Sequence, residues 1–318
     1  ESVITFTGSN LETTTEAVIK ADILEKGKVL VPGRLLADIA RSLPDKPITF
    51  TLDGTKVFVN SGSAKFQLPT LPVEEFPPLP SFPEAAGTID SNLFAEGVSQ
   101  VAIAAGKDES LLSLTGIHIE VKGDNITMAA TDRYRLAVRE LSFNPARPNT
   151  EAVALIRSRT LLETTKALTN TKNINLALAP ATSNDRLAGF QTESKTTTTR
   201  LLDGTFPPYR HLIPQESLTT TIIEVAPFLD AVRRVALVTD KTIPLKLTFT
   251  GNSLTLEAGG ADEAQANEIF ETQKTGEDLS IAFNPNYLLD GLHAISAPYA
   301  QISFNTSGKA AILMGKKD

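Results

Sequence analysis

Val31-Pro32-Gly33-Arg34 runs into LLADIARSLPDKPITFTL, Ile156-Arg157-Ser158-Arg159 into TLLETTKALTNTKNINLAL, and Phe283-Asn284-Pro285-Asn286 into YLLDGLHAISAPYAQISF. Each of the three reads as a strand end, a short helix, a loop and a second strand. Their starts are spaced by about 125 residues, which is the signature of an internal repeat. Two further sets of segments keep the same order. KFQLPTLPVEEFPPLP, with its FPP at Phe76, parallels TTRLLDGTFPPYRHLIP, with its FPP at Phe206; FAEGVSQV from Phe94 parallels FLDAVRRV from Phe228.

Between these landmarks the chain alternates like a set of strands. Residues 4–7, 48–52, 117–121 and 245–249 place apolar side chains at every second position, and turn pairs such as Asp53-Gly54, Gly123-Asp124 and Gly251-Asn252 follow. Apolar residues at helical spacing predict short helices over 34–42, 94–103, 160–168, 228–238 and 287–295. Many strands with few helices make the fold α+β, not the regular alternation of a doubly wound sheet. The repeat predicts three similar domains, 1–86, 87–214 and 215–318, joined by proline-bearing linkers near 77–87 and 213–218. It also predicts that the first copy is truncated by a helix and strand before residue 1, and the third by a strand after Asp318.

Composition narrows the chemistry. The 318 residues include no cysteine, which excludes a disulfide scaffold, a thiolate metal site and a cysteine nucleophile. The three histidines, His118, His211 and His293, lie far apart in sequence. The acidic stretch 259–263 lacks the alternating oxygen ligands of a calcium loop. No P-loop, G-x-G-x-x-G or nucleophile-elbow pattern occurs, so the expectation is no catalytic residue, no metal and no cofactor. No apolar run reaches the ~18 residues of a membrane span. Thirty Lys and Arg against 37 Asp and Glu give a net charge of −7. A protein that simply coats nucleic acid is normally basic, so either this one avoids nucleic acid or its positive charge is gathered on one surface.

The repeat helices support gathering. Arg34 and Arg41 are seven apart and share a face of the first; the matching positions carry Arg159 and Lys166 on the second, and Asn286 and His293 on the third. Lys107, Arg233 and Arg234 sit on or just after the other type of helix. Long cations of this kind suit a phosphate backbone and read no bases. An ordinary solvated helix face gives the same residues, and both readings stand at this point. His118 alternates with Ile117 and Ile119, which predicts a solvated strand histidine. By themselves, 131–138 reads as a polar turn entering a strand, and 201–209 as a structural corner.

Taken together, TDRYRLAV at 131 and LLDGTFPPYRHLIP at 201 resemble the bacterial sliding clamp family, the beta subunit of the replicative DNA polymerase III. FNPNYLLDGL, KFQLPTLPVEEFP and VPGRLLADIARSLP resemble the same family at the corresponding places, in order along essentially the whole chain. The resemblance implies a homodimer ring of six domains, with sheets outside and helices around a central hole. It implies a cytoplasmic, non-enzymatic processivity factor in DNA replication and repair. The expected partners are double-stranded DNA held topologically, the replicative polymerase catalytic subunit, a clamp loader, translesion polymerases, DNA ligase and mismatch-repair proteins.

Carried over by position, Arg34, Arg41, Lys107, Arg159 and Lys166 would face DNA. A pocket between the second and third domains, taking linear peptides of the Q-L-x-L-F type, would use Leu114, Thr131, Arg133, Tyr134, Arg135, Leu136, Pro207, His211, Leu212, Asn284, Tyr287 and Ala310. Leu111-Leu112-Ser113 stands where some family members carry aromatic residues, and His211 where some carry arginine. Two rival readings are a peptide-binding scaffold that never encloses DNA, and a hydrolase using a pair of carboxylates in a cleft.

Overall fold

The structure is a computed structural model, and it describes residues 2–168, 171–178, 186–239, 244–259, 264–305 and 310–317. Its strand pairing is antiparallel throughout. Among the described residues five α-helices interrupt the strands: α1 (Gly33–Ser42), α2 (Ser91–Ala102), α3 (Ser158–Leu168), α4 (Val225–Val235) and α5 (Pro285–His293). These are the five that periodicity predicts, with starts shifted by up to three residues. The starts follow the caps: the Asp90 carboxylate accepts from the Asn92 and Leu93 N–H groups, and the Asn284 side chain accepts from Asn286 N–H.

The second and third repeats are built alike. A strand (Gly87–Asp90 or Thr219–Glu224) leads into α2 or α4, a meander follows, and a further strand delivers α3 or α5. In each, the two helices pack together beneath the sheets. Phe94, Val98 and Val101 of α2 meet Leu161 and Leu168 of α3; Phe228, Val232 and Val235 of α4 meet Leu288 and Leu292 of α5. Burying apolar stripes of paired helices under two sheets is what closes each core. The first repeat carries α1 alone, and its core is small: Ile39, Val57, Val59 and Leu68. The predicted turns hold, with Gly123 and Gly251 in the left-handed region at φ 57° and 55°.

The two junctions between repeats differ in chemistry. The first repeat's hairpin strand Thr13–Lys20 pairs with the second repeat's Lys195–Arg200, which merges both into one seven-stranded sheet. Threonines face each other across this seam, with hydroxyls 3.1 Å apart at Thr13–Thr199 and 3.2 Å at Thr15–Thr197. β-Branched residues favour this pleated setting. The linker near 77–87 also lies on the second repeat, where the Phe82 ring packs closely against Gly189. The second and third repeats meet through side chains. The Gln100 amide on α2 donates to Ala294 O (2.9 Å) and the Ser296 hydroxyl (3.3 Å), and Ser296 donates to Glu96 (2.6 Å).

Candidate functional site

The second polar contact between these repeats forms one side of a cavity. It begins at the turn after the strand Asn125–Thr131. The Asp132 carboxylate accepts from the N–H groups of Tyr134 and Arg135, both at 3.0 Å, and the Thr131 hydroxyl accepts from Arg133 N–H at 3.2 Å while donating to Arg135 O at 2.7 Å. Such side-chain-to-backbone bonds are what Asx and Ser/Thr turns use. They place Arg133 at φ 80°, a region L-residues rarely enter, and push Tyr134 into solvent at 76% exposure. Arg135 turns inward. Its Nε donates to Asp132 (3.0 Å), its Nη1 donates to Asp290 of α5 (2.6 Å), and its guanidinium lies 4.4 Å from the centre of the Tyr287 ring.

The cavity measures about 300 Å³ and is bounded by this turn, by Tyr287, and by the segment after α2 from Ala105 to Leu114. It therefore unites Leu114, Arg133, Tyr134, Arg135 and Tyr287 of the expected pocket set, from two repeats. Lys107, expected to face DNA, is exposed and also lines this cavity, together with Asp108 and Leu111. Hydrogen bonds from the Ser110 hydroxyl and N–H hold the Asp108 carboxyl below the usual carboxylate range. Apolar walls with a few fixed polar groups are the ordinary make-up of a ligand site.

The other expected pocket residues do not line the cavity. Leu136 packs against a small core of Ala129, Leu155, Leu202, Phe206 and Tyr209. Pro207 is half-buried in the segment leading to the 3₁₀ turn Arg210–Leu212, on which His211 and Leu212 are exposed. Asn284 caps α5, and Ala310 is exposed just before the strand Ala311–Lys316.

His118 departs from expectation. The 201–213 segment folds back over its face of the strand, so the imidazole stacks on Phe206 at 5.1 Å between centroids and meets the edge of Tyr209. Burial pushes its pKa down; the Arg210 charge adds to that and Glu120 opposes it. Burial acts to raise the pKa of Glu120 itself, but hydrogen bonds from Lys122 and Arg210 outweigh it and hold this carboxyl low.

The residues expected to face DNA on the repeat helices lie exposed. Arg34, Arg41, Arg159 and Lys166 are all exposed on α1 and α3, and Asn286 and His293 are exposed on α5. Sequence reasoning missed their acidic partners: Asp38 pairs with Arg41 at 2.8 Å and Glu163 with Arg159 at 3.0 Å. Spacings of three and four residues signal such pairs in advance. Asp290 was missed as well, although it lies three residues from Tyr287 and so shares its helix face. From Gly260 onward the acidic stretch 259–263 lies outside the described residues. Among the described residues no group of three or more His, Asp and Glu could hold a metal ion, and no helix is long and apolar enough to cross a membrane.

Family models of the DNA polymerase III beta subunit match the chain from end to end: the N-terminal domain over 1–80, the central domain over 88–208 and the C-terminal domain over 210–318. The chain belongs to the DNA polymerase III beta subunit family, the bacterial sliding clamps. It is 49% identical to the beta sliding clamp of Streptomyces coelicolor over 316 residues, covering 99% of this chain and 84% of that one. It is 41% identical to the beta sliding clamp homolog GriR of Streptomyces muensis, covering 98% of this chain and 83% of that protein. Among solved structures, the Thermotoga maritima beta subunit superimposes with a TM-score of 0.88 at 26% identity, covering 98% of this chain and 84% of that one. The Bacillus subtilis sliding clamp gives 0.87 at 25% identity, covering 99% and 85%. The fold is thus the three-domain clamp fold.

Proposed function

We propose that this clamp is a non-enzymatic processivity factor that encircles duplex DNA and tethers the replicative polymerase. One observation carries the reading: in a chain of net charge −7, exposed cations recur at matched positions of the first two repeat helices. Local gathering of charge in an acidic protein steers a polyanion to one surface. Arg34, Arg41, Arg159 and Lys166 would contact phosphates, and Lys107, exposed and lining the cavity, would join them. Two of these arginines share their charge with neighbouring carboxylates, which suits weak, mobile contacts. Few phosphate contacts give a shallow salt dependence, and holding by topology needs no deep well at any sequence.

The ring would join two protomers head to tail, with domains 1–86, 87–214 and 215–318 in each. Two sheet edges that are unpaired among the described residues would supply the means. One is the strand Ala64–Pro69 in the first domain, with Lys65 outward; the other is Ala266–Glu271 in the third, with Glu271 and the 70%-exposed Ile269 outward. Edges left open invite strand pairing, and opposite charge sets the partner. The 300 Å³ cavity would receive apolar anchors of linear peptides from the polymerase catalytic subunit, the clamp loader, translesion polymerases, DNA ligase and mismatch-repair proteins, one at a time. The loader would supply the ATP-driven opening, and the work would be cytoplasmic. Primer extension on a singly primed circle, with cognate polymerase and loader, tests this reading. Adding the protein is expected to lengthen the products of a single binding event; unchanged product length refutes it.

A further inference from the structure

We infer that Asp290 is a positioning residue for the peptide pocket: by holding the Arg135 guanidinium across the boundary between the second and third domains, it sets the wall that an apolar anchor meets. The inference rests on the reading of the cavity as a peptide site.

Arg135 has constraints from both domains. Asp132, in its own turn, takes Nε at 3.0 Å; Asp290 takes Nη1 at 2.6 Å, and Tyr287 lies beneath the guanidinium plane. The arginine side chain is 17% exposed, Asp132 16% and Asp290 45%. A planar guanidinium carries its donors in a fixed fork, so acceptors on two sides and a ring on its face leave it a single orientation. Asp290 does not line the cavity, whereas Asp132, Arg135 and Tyr287 do. Whatever Asp290 contributes to a bound peptide therefore passes through Arg135.

Removing the Asp290 carboxylate leaves Nη1 without its acceptor in a mostly covered place. An unpaired donor there is costly, and it is relieved by turning toward water. Arg135 lines the cavity, so a guanidinium released from Asp290 and turned that way takes up room meant for the anchor. The same carboxylate also adds a second negative charge beside Arg135, next to that of Asp132. Lys107 and Arg133 already stand on that rim, and Asp108 and Asp132 are engaged with Ser110 and with the turn.

The test uses the full-length protein and a fluorescent Gln-Leu-Ser-Leu-Phe peptide, with affinity read by anisotropy and thermal unfolding followed on the same samples. D290A is expected to bind about fivefold more weakly or worse. D290E, which returns a carboxylate, is expected within about twofold of wild type. The double variant R135A/D290A is expected to bind no more weakly than R135A alone, since both act through one group. Thermal midpoints are expected to stay close to wild type; D290L, which likewise offers no acceptor, serves in place of D290A if the alanine variant fails to fold. Wild-type affinity in D290A, additive losses in the double variant, or a loss that D290E does not restore would each overturn the assignment. If the wild-type protein ignores the peptide, the pocket reading fails and takes this assignment with it. If it binds and D290A matches it, the assignment alone fails.

Discussion

Gly189→Ala is expected to loosen the joint between the first two domains, and the size of the effect can be worked from one contact. A Cβ at Gly189 would lie 2.5 Å from Phe82 Cε2, 2.9 Å from Cζ and 3.0 Å from Cδ2. Ordinary carbon contacts begin near ~3.5 Å, so the ring must retreat by about 1 Å or leave the sheet. Phe82 is half-buried. Full burial of a phenylalanine is worth about 1.5–3 kcal/mol, so losing this contact costs about 1 kcal/mol, offset by the few tenths gained from alanine's lower backbone entropy cost in a strand. Urea unfolding reads that loss, and cleavage after Glu84 by a glutamate-specific protease reports whether the linker has lifted. The control is Phe82→Ala. In that background Gly189→Ala meets no ring and is expected to be neutral or slightly stabilising. A cost of equal size with and without the Phe82 ring would refute the reasoning.

Below about pH 6.5 the wild type is expected to lose stability that His118→Gln keeps. Burial lowers the folded-state pKa of His118, so the unfolded chain takes up this proton more readily, and the loss deepens until pH falls through the folded-state value; coincident slopes of unfolding free energy against pH for the two proteins would contradict this. Ile269→Glu puts a charge on the open edge Ala266–Glu271 and is expected to shift sedimentation from two protomers to one folded protomer, whose unfolding midpoint no longer depends on protein concentration. A dimer that persists would remove that edge from the interface. His211→Glu is expected to weaken peptide binding by about tenfold while leaving the two-protomer state intact, and unchanged peptide affinity would remove His211 from the site.

The repeat was legible because helix starts, FPP corners and turn glycines recur at one interval, and each is local chemistry. Helix ends were legible to within a few residues; Asp90 and Asn284 mark the true starts, and apolar periodicity does not register a cap. The exposure of His118 was misread because strand alternation says only that it faces away from Ile117, not that residues 201–213 return to cover that face. Half of the pocket was visible for a related reason. The turn 131–135 is bound within itself and announces itself in sequence. The partner that fixes Arg135 lies 155 residues away, on another repeat. The threonine tracts at 13–15 and 196–199 read as strand formers, but their pairing across the first junction is a tertiary fact.

The central claim is that the protein holds DNA by enclosing it. The most direct measurement loads it onto nicked circular DNA with a cognate clamp loader and ATP, linearises half of the sample, and compares retention. The account predicts retention on circles and rapid loss from linear molecules, with little dependence on salt for the circular form. Equal retention on both forms would mean ordinary electrostatic binding and would contradict it.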